Sequence, residues 1–97
     1  MITVSDVTAA FAARLPTASI SVDTLSDMTI AWASIGDDDI GIQALEDGGF
    51  VVVDCNAAPV SVAGEEPGFE FGRLDQAIAA AADRLEEIAT RSALLAA

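Results

Sequence analysis

The sequence predicts an α+β fold, in which a four-stranded antiparallel β-meander carries an N-terminal and a C-terminal helix packed on the sheet. Apolar residues recur at helical spacing near both ends of the chain. Between them, four short segments alternate apolar and polar residues or are rich in β-branched residues. At 97 residues the chain has the length of one domain, residues 1–97, with one core.

Two helices are predicted from the apolar spacing. The first covers residues 4–15, stops before Pro16, and has one apolar face made of Val4, Val7, Phe11 and Leu15. The second follows Gly72, its predicted N-cap, and has Asp75 in the first turn, where the helix dipole favours negative charge. Its apolar face repeats at i, i+3 and i+4 and consists of Leu74, Ala77, Ile78, Ala81, Leu85, Ile88, Ala89 and Leu95.

Four strands are predicted between the helices, at residues 18–23, 28–35, 40–45 and 50–55. The first alternates apolar residues with serines, which is typical of a strand with one face in water. In the second strand, Met28, Ile30 and Trp32 share one side. We expect one core to contain Trp32, Phe50, Val52, Leu74, Ile78 and Leu85.

The connections are predicted from turn residues. Residues 36–39 form the first turn of the central hairpin, and Asp47-Gly48 supplies the positive φ that the next tight turn needs. Residues 57–71 contain two prolines and are predicted to be a loop with a short edge strand at 60–63.

The charge of the chain is strongly one-sided. It contains 16 Asp and Glu against 4 Arg, with no Lys, His or Tyr, and its net charge is −12 at pH 7. An apolar fraction of 53% is too high for a disordered acidic tail, so the charge belongs to a folded body. Direct binding to nucleic acid or to an anionic membrane is excluded, because both require a basic patch.

The sequence offers little catalytic chemistry. Without His or Lys, the usual proton carriers and amine nucleophiles are missing. Cys55 is the only cysteine, which rules out an internal disulfide and suits a reducing compartment, and we expect it to be a packed core residue. Asp37, Asp38 and Asp39 lack the ligand spacing of an EF-hand. The chain is therefore predicted to be a cytoplasmic protein without enzymatic activity, cofactor, metal, signal peptide or membrane span.

The acidic residues fall into clusters, which are the candidate partner-binding residues. They lie in the central turn, in the next turn, in the long loop and along the last helix: Asp37, Asp38, Asp39, Glu46, Asp47, Glu65, Glu66, Asp83, Glu86 and Glu87. In the last helix, Arg91 can pair with Glu87, so the acidic stripe is expected to be only partly neutralised. Ordinary surfaces mix both signs of charge. A one-sided field of this kind steers a basic partner.

The size, the acidity and the helix–meander–helix order resemble small phage-encoded inhibitors, in particular acidic anti-CRISPR proteins that imitate DNA. The resemblance covers the outline of the chain and assigns no site residue. It implies a non-enzymatic inhibitor, acting in the host cytoplasm, that binds a nucleic-acid-binding groove of a CRISPR effector complex or another basic protein.

Three other functions stay open at this stage. An immunity protein or antitoxin would neutralise a basic toxin through the same kind of surface. An acidic protein could carry its charge for solvation only. An enzyme could use carboxylates alone. The sequence also leaves a homodimer open.

Overall fold

The computed structural model describes residues 4–25 and 28–96, and shows the α+β arrangement that the sequence predicts. The elements in chain order are α1 (Val4–Arg14), β1 (Ser19–Leu25), β2 (Met28–Ile35), β3 (Asp38–Ala44), β4 (Phe50–Val53) and α2 (Leu74–Ala96). The four strands form one antiparallel sheet in the order β1-β2-β3-β4, which confirms the meander.

One face of the sheet packs against both helices and contains the main core. In this face, β2, β3 and β4 contribute fully buried side chains, namely Ala31, Ala33, Ile40, Ile42, Phe50 and Val52. The helix α2 lies mainly across β3 and also contacts β2 and β4, whereas α1 lies on β1 and β2. Phe11 of α1 and Leu85 of α2 pack in this core, and both residues are fully buried.

The opposite face of the sheet has a second, smaller apolar cluster, which the sequence pattern does not distinguish from the main core. Ile30, Val51 and Val53 are buried there, with Trp32 and Leu45 packed against them. The prediction that Trp32 and Phe50 share one core was therefore wrong. The error arises because β2 is apolar on both faces, and its smaller residues, Ala31 and Ala33, are the ones that point toward the helices.

Gly41 makes room for this second cluster. A Cβ atom at position 41 would lie 2.9 Å from Cγ2 of Ile30 and 2.9 Å from ring carbons of Trp32. In the strand register Gly41 is directly opposite Trp32, so the indole occupies the space that a side chain at 41 would need.

The helix α2 is longer than the core that it covers. Its 23 residues span about 34 Å. Ala77, Ile78, Ala81 and Leu85 are buried as predicted, but Leu94 and Leu95 are 73% and 82% exposed. The prediction that Leu95 faces the core was wrong, because the last turn of α2 lies beyond the packed surface.

The segment from 54 to 73 is a loop, as predicted, but contains no strand at 60–63. It forms isolated bridges instead, of which Val53 with Pro59 and Phe50 with Phe71 fasten it to β4. Cys55 lies in the turn that follows β4 and is exposed, so its prediction as a core residue was wrong. Gly72 lies just before α2, but the carbonyl of Arg73 accepts the first helical bond, from Ala77 at 3.2 Å, which shifts the predicted N-cap by one residue.

Within residues 4–25 and 28–96, no helix combines the length and the apolar character needed to cross a bilayer.

Candidate protein-interaction surface

All four arginines of the chain pair with acids of α2. Arg14, at the end of α1, reaches across to α2, where its Nη1 lies 2.8 Å from Oε1 of Glu86 and its Nη2 lies 2.5 Å from Oδ1 of Asp83. These pairs join residues about 70 positions apart, and sequence spacing gave no signal for them.

The other three arginines belong to α2 or to the residue before it. Glu87 lies between Arg84 and Arg91, at 3.3 Å and 3.0 Å. Arg73 Nε donates to Asp75 at 3.0 Å, and this bond holds the pKa of Asp75 below its ordinary value.

The acidic stripe on α2 is therefore paired more completely than the sequence indicated. Arg91 was the one predicted partner, but Arg14 and Arg84 are added by the fold. Asp83, Glu86 and Glu87 are each within ion-pair distance of an arginine. The surface of α2 is close to neutral, although the protein is not.

The excess negative charge consequently lies outside α2. The four acids of α2 match the four arginines in number, and they are four of the 16 acids in the chain. The twelve others equal the net charge of −12, so the excess of acids over arginines in the sequence falls outside α2.

The central turn differs from its predicted shape. The strands β2 and β3 are joined by Gly36 and Asp37 alone, and Gly36 has a positive φ of 61°. Asp37 is exposed at the tip, whereas Asp38 and Asp39 already belong to β3 and are half-buried. The prediction that residues 36–39 form the turn was wrong, because Asp38 and Asp39 already pair with β2, and adjacent strand residues point to opposite faces.

Asp38 and Asp39 each accept a hydrogen bond from a serine hydroxyl. Ser92, near the end of α2, donates its hydroxyl to Asp38 at 3.3 Å. Ser34, the partner of Asp39 in the strand register, donates its hydroxyl to that carboxylate. Asp37 is thus the acid of this cluster most open to a partner protein.

The turn between β3 and β4 contains a second acidic group, in which Asp47 and Glu70 interact. Asp47 accepts the backbone N–H of Gly49 at 3.0 Å, which lowers the pKa of Asp47, and a hydrogen bond with Glu70 lowers it further. The same hydrogen bond raises the pKa of Glu70, with smaller contributions from burial and from repulsion by Asp47. Glu46, beside them, is exposed. Gly48 has the positive φ predicted for this turn, 91°.

Glu70 was not among the predicted site residues. Its side chain lies against Gly49, where a Cβ atom would come within 2.5 Å of Cγ of Glu70. The approach depends on the pairing of Phe50 with Phe71, whose backbone groups exchange two hydrogen bonds of 2.8 Å. This contact between β4 and the loop brings Glu70 close to Asp47, so sequence spacing alone could not show it.

Glu65 and Glu66 are exposed on the loop, as expected. The backbone N–H of Glu65 donates to the carbonyl of Val62 at 2.9 Å, and the hydroxyl of Ser61 donates to the carbonyl of Glu65 at 2.6 Å. These bonds fix the backbone of the loop while leaving its carboxylates in solvent.

The structure places these acids along the sheet and not in one cluster. Asp37 lies at the end of the sheet where α2 finishes, as the contact of Asp38 with Ser92 shows. Glu46 and Asp47 lie at the other end, next to the start of β4. Strands of seven residues, such as β3, separate the two ends by about 23 Å. Glu65 lies on the loop and lines a hollow with Asp83 of α2.

The described residues contain no group of three or more His, Cys, Asp or Glu side chains that could hold a metal ion. Comparison of the chain with protein-family models, with curated proteins and with solved structures finds no match.

Proposed function

We propose that this protein is a non-enzymatic acidic inhibitor, which binds a basic nucleic-acid-binding groove of a partner protein and occupies the place of DNA. The observation that supports this most is the separation of charge. Each of the four arginines pairs with an acid of α2, and the twelve acids outside α2 equal the net charge of −12 in number.

The spacing of the acids suits such a partner. The acids lie at both ends of a sheet about 23 Å long and in the loop beside it. The protein measures 43 × 27 × 23 Å, and B-DNA as long as its longest axis carries roughly 25 phosphate charges. The net charge of −12 is about half of that number. Basic side chains arranged for a phosphate backbone would therefore meet a negative charge of the same order.

The rigidity of the acidic positions also favours binding. Asp37 lies in a two-residue turn between paired strands, and Glu65 lies in a loop whose backbone is hydrogen-bonded. A partner that binds them loses little conformational entropy in ordering the backbone. The negative field also speeds the encounter with a basic surface, and this gain falls as salt is added.

The proposal includes an anti-CRISPR-like role, since a CRISPR effector complex has a basic groove of this kind. A basic toxin is the alternative partner, and in that case the protein would be an immunity protein or antitoxin. The two classes differ in one measurable property, which is whether nucleic acid and this protein exclude each other from the partner.

The test begins with a basic protein captured from a bacterial lysate by the immobilised protein and then purified. Its binding to a fluorescent DNA or RNA duplex is measured by anisotropy while this protein is titrated in. Competition, with complete displacement of the duplex at saturation, would support the proposal. A ternary complex, with both bound together, would contradict it, and so would a captured protein that binds no nucleic acid.

A further inference from the structure

The strand β1 is the open edge of the sheet. The other edge, β4, is covered by the loop, because Phe50 pairs with Phe71 and the N–H of Val60 donates to the carbonyl of Val52 at 3.2 Å. The strand β1 pairs with β2 on one side, and no further strand of the described chain pairs with its other side. An unpaired edge presents N–H and C=O groups with which another extended chain can bond.

The helices do not completely cover the apolar face of the sheet at β1. Ile20 and Val22 pack against the main core from this strand, but both remain half-buried. The side chains that β2, β3 and β4 contribute to the same face are fully buried. The apolar face therefore continues beyond the helices, and a fifth strand beside β1 would cover it.

The other face of β1 is polar and acidic. Ser19, Ser21 and Asp23 are exposed there. Asp23 is one of the acids that lie outside α2, and the ion pairs described above do not include it. A strand added at this edge would meet an apolar surface on one side and a carboxylate on the other.

We propose that β1 receives an extended basic segment of the partner protein as a fifth strand. In this arrangement, alternate apolar side chains of the segment cover Ile20 and Val22, and the intervening Arg or Lys side chains lie beside Asp23. The basic character of the segment rests on the proposed function and on the charge of this chain. A second copy of the chain is a poorer occupant, because it would bring together two bodies that each have a net charge of −12.

The experiment uses the full ¹⁵N-labelled protein and two capped synthetic peptides of eight residues, one alternating Arg and Val and one with four Arg followed by four Val. Amide hydrogen exchange is followed by NMR. We expect the alternating peptide to slow amide exchange in β1 by at least about tenfold, while exchange in α2 is unchanged. We also expect it to bind at least about fivefold more tightly than the peptide with four Arg followed by four Val. Equal binding of the two peptides, or protection outside β1 alone, would overturn the proposal.

Two variants test the two faces of β1 separately. Val22→Lys places a charge on the apolar side and should abolish binding of the alternating peptide. Asp23→Asn should weaken binding of the alternating Arg-Val peptide severalfold and should leave binding of an alternating Ser-Val peptide unchanged. Asp75→Asn on α2 is the matched control and should change neither. If circular dichroism shows that Val22→Lys is unfolded, Val22→Thr is used in its place, and a smaller loss of peptide binding is expected.

The outcomes separate this inference from the proposed function. If this protein does not displace the duplex from the partner but still binds the alternating peptide, the proposed function is contradicted. The β1 edge would then remain a site for a basic strand. Competition retained without peptide binding would overturn the edge proposal alone. A concentration-dependent dimer that Val22→Lys disrupts would assign the edge to a second copy and overturn the basic segment as its occupant.

Discussion

Arg14 and Glu86, 72 positions apart in the sequence, join the two helices through a 2.8 Å contact between Nη1 and Oε1. The second guanidinium nitrogen contacts Asp83, so one arginine of α1 is shared by two acids of α2. These contacts join the two helices and place the positive charge of Arg14 beside the acids of α2. They therefore bear on both the fold and the proposed function.

The Arg14 contacts should contribute little to stability by themselves. Its side chain is 41% exposed, and exposed ion pairs contribute about 0–1 kcal/mol because water screens them. We expect Arg14→Gln to lower the free energy of unfolding by less than about 1 kcal/mol in urea denaturation. A larger loss would show that the contact determines how α1 docks on α2.

The burial of Leu85 predicts a much larger effect. Its side chain exposes 0% of its surface, so Leu85→Ala should cost about 2–5 kcal/mol. Leu95→Ala is the matched control on the same helix, since that side chain is 82% exposed, and should cost less than about 0.5 kcal/mol. Similar losses at the two positions, measured by urea denaturation, would contradict the packing of α2.

The contact of Trp32 with Gly41 predicts a steric effect on the opposite face of the sheet. Gly41→Ala would place a methyl group 2.9 Å from Ile30 and from the indole ring, and we expect a loss of about 1–3 kcal/mol together with a shift in Trp32 fluorescence. Gly72→Ala serves as control, because nothing lies within 4 Å of its added carbon. An unchanged fluorescence spectrum in Gly41→Ala would show that Trp32 does not lie over Gly41.

The carboxyl pair of Asp47 and Glu70 predicts a pH dependence. The raised pKa of Glu70 means that its protonated form stabilises the fold at low pH, and this stabilisation is lost as the pH rises through the folded-state pKa. Asp47 has a lowered pKa and acts oppositely: its contribution is present above 3.8 and is lost as the pH falls through its folded-state pKa.

Glu70→Gln isolates the first of these effects. It removes the negative charge beside Asp47, so we expect a higher melting temperature than wild type at pH 7. The difference should shrink as the pH falls below the ordinary glutamate value of 4.5, where wild-type Glu70 is protonated. Glu66→Gln removes the same charge elsewhere on the loop. A gain at pH 7 of equal size in both variants would mean that only net charge matters.

The sequence was sufficient for the elements and their order, because helical and alternating apolar patterns report burial locally. It was insufficient where two faces compete or where the fold brings distant residues together. In β2, Ile30 and Trp32 outweigh Ala31 and Ala33 in size, yet the alanines face the helices. Alternation along a strand shows which residues share a face, but not which face the helices cover.

The candidate site was predictable in composition but not in geometry. The acidic clusters are visible in the sequence, whereas the contacts of Arg14 with α2 and of Glu70 with Asp47 depend on tertiary packing. The shorter turn at Gly36-Asp37 also moved Asp38 and Asp39 into β3, where each accepts a serine hydroxyl. Turn length sets strand register, and one residue more or less reverses the face of each side chain.

The proposed function requires that the location of the negative charge matters for binding, and not its total alone. Two variants test this, and each removes four negative charges from the net −12, leaving −8. The first changes exposed acids outside α2: Asp37→Asn, Glu46→Gln, Glu65→Gln and Glu66→Gln. The second changes the arginine-paired acids of α2: Asp75→Asn, Asp83→Asn, Glu86→Gln and Glu87→Gln.

The most direct measurement is the association rate constant of each variant with the captured basic partner, at low and at high salt. The first variant should associate about tenfold or more slowly than wild type at low salt, with a flatter salt dependence, whereas the second should stay within about threefold of wild type. Equal slowing of the two variants, or greater slowing of the second, would contradict the account, because the acids outside α2 would then have no special part in binding.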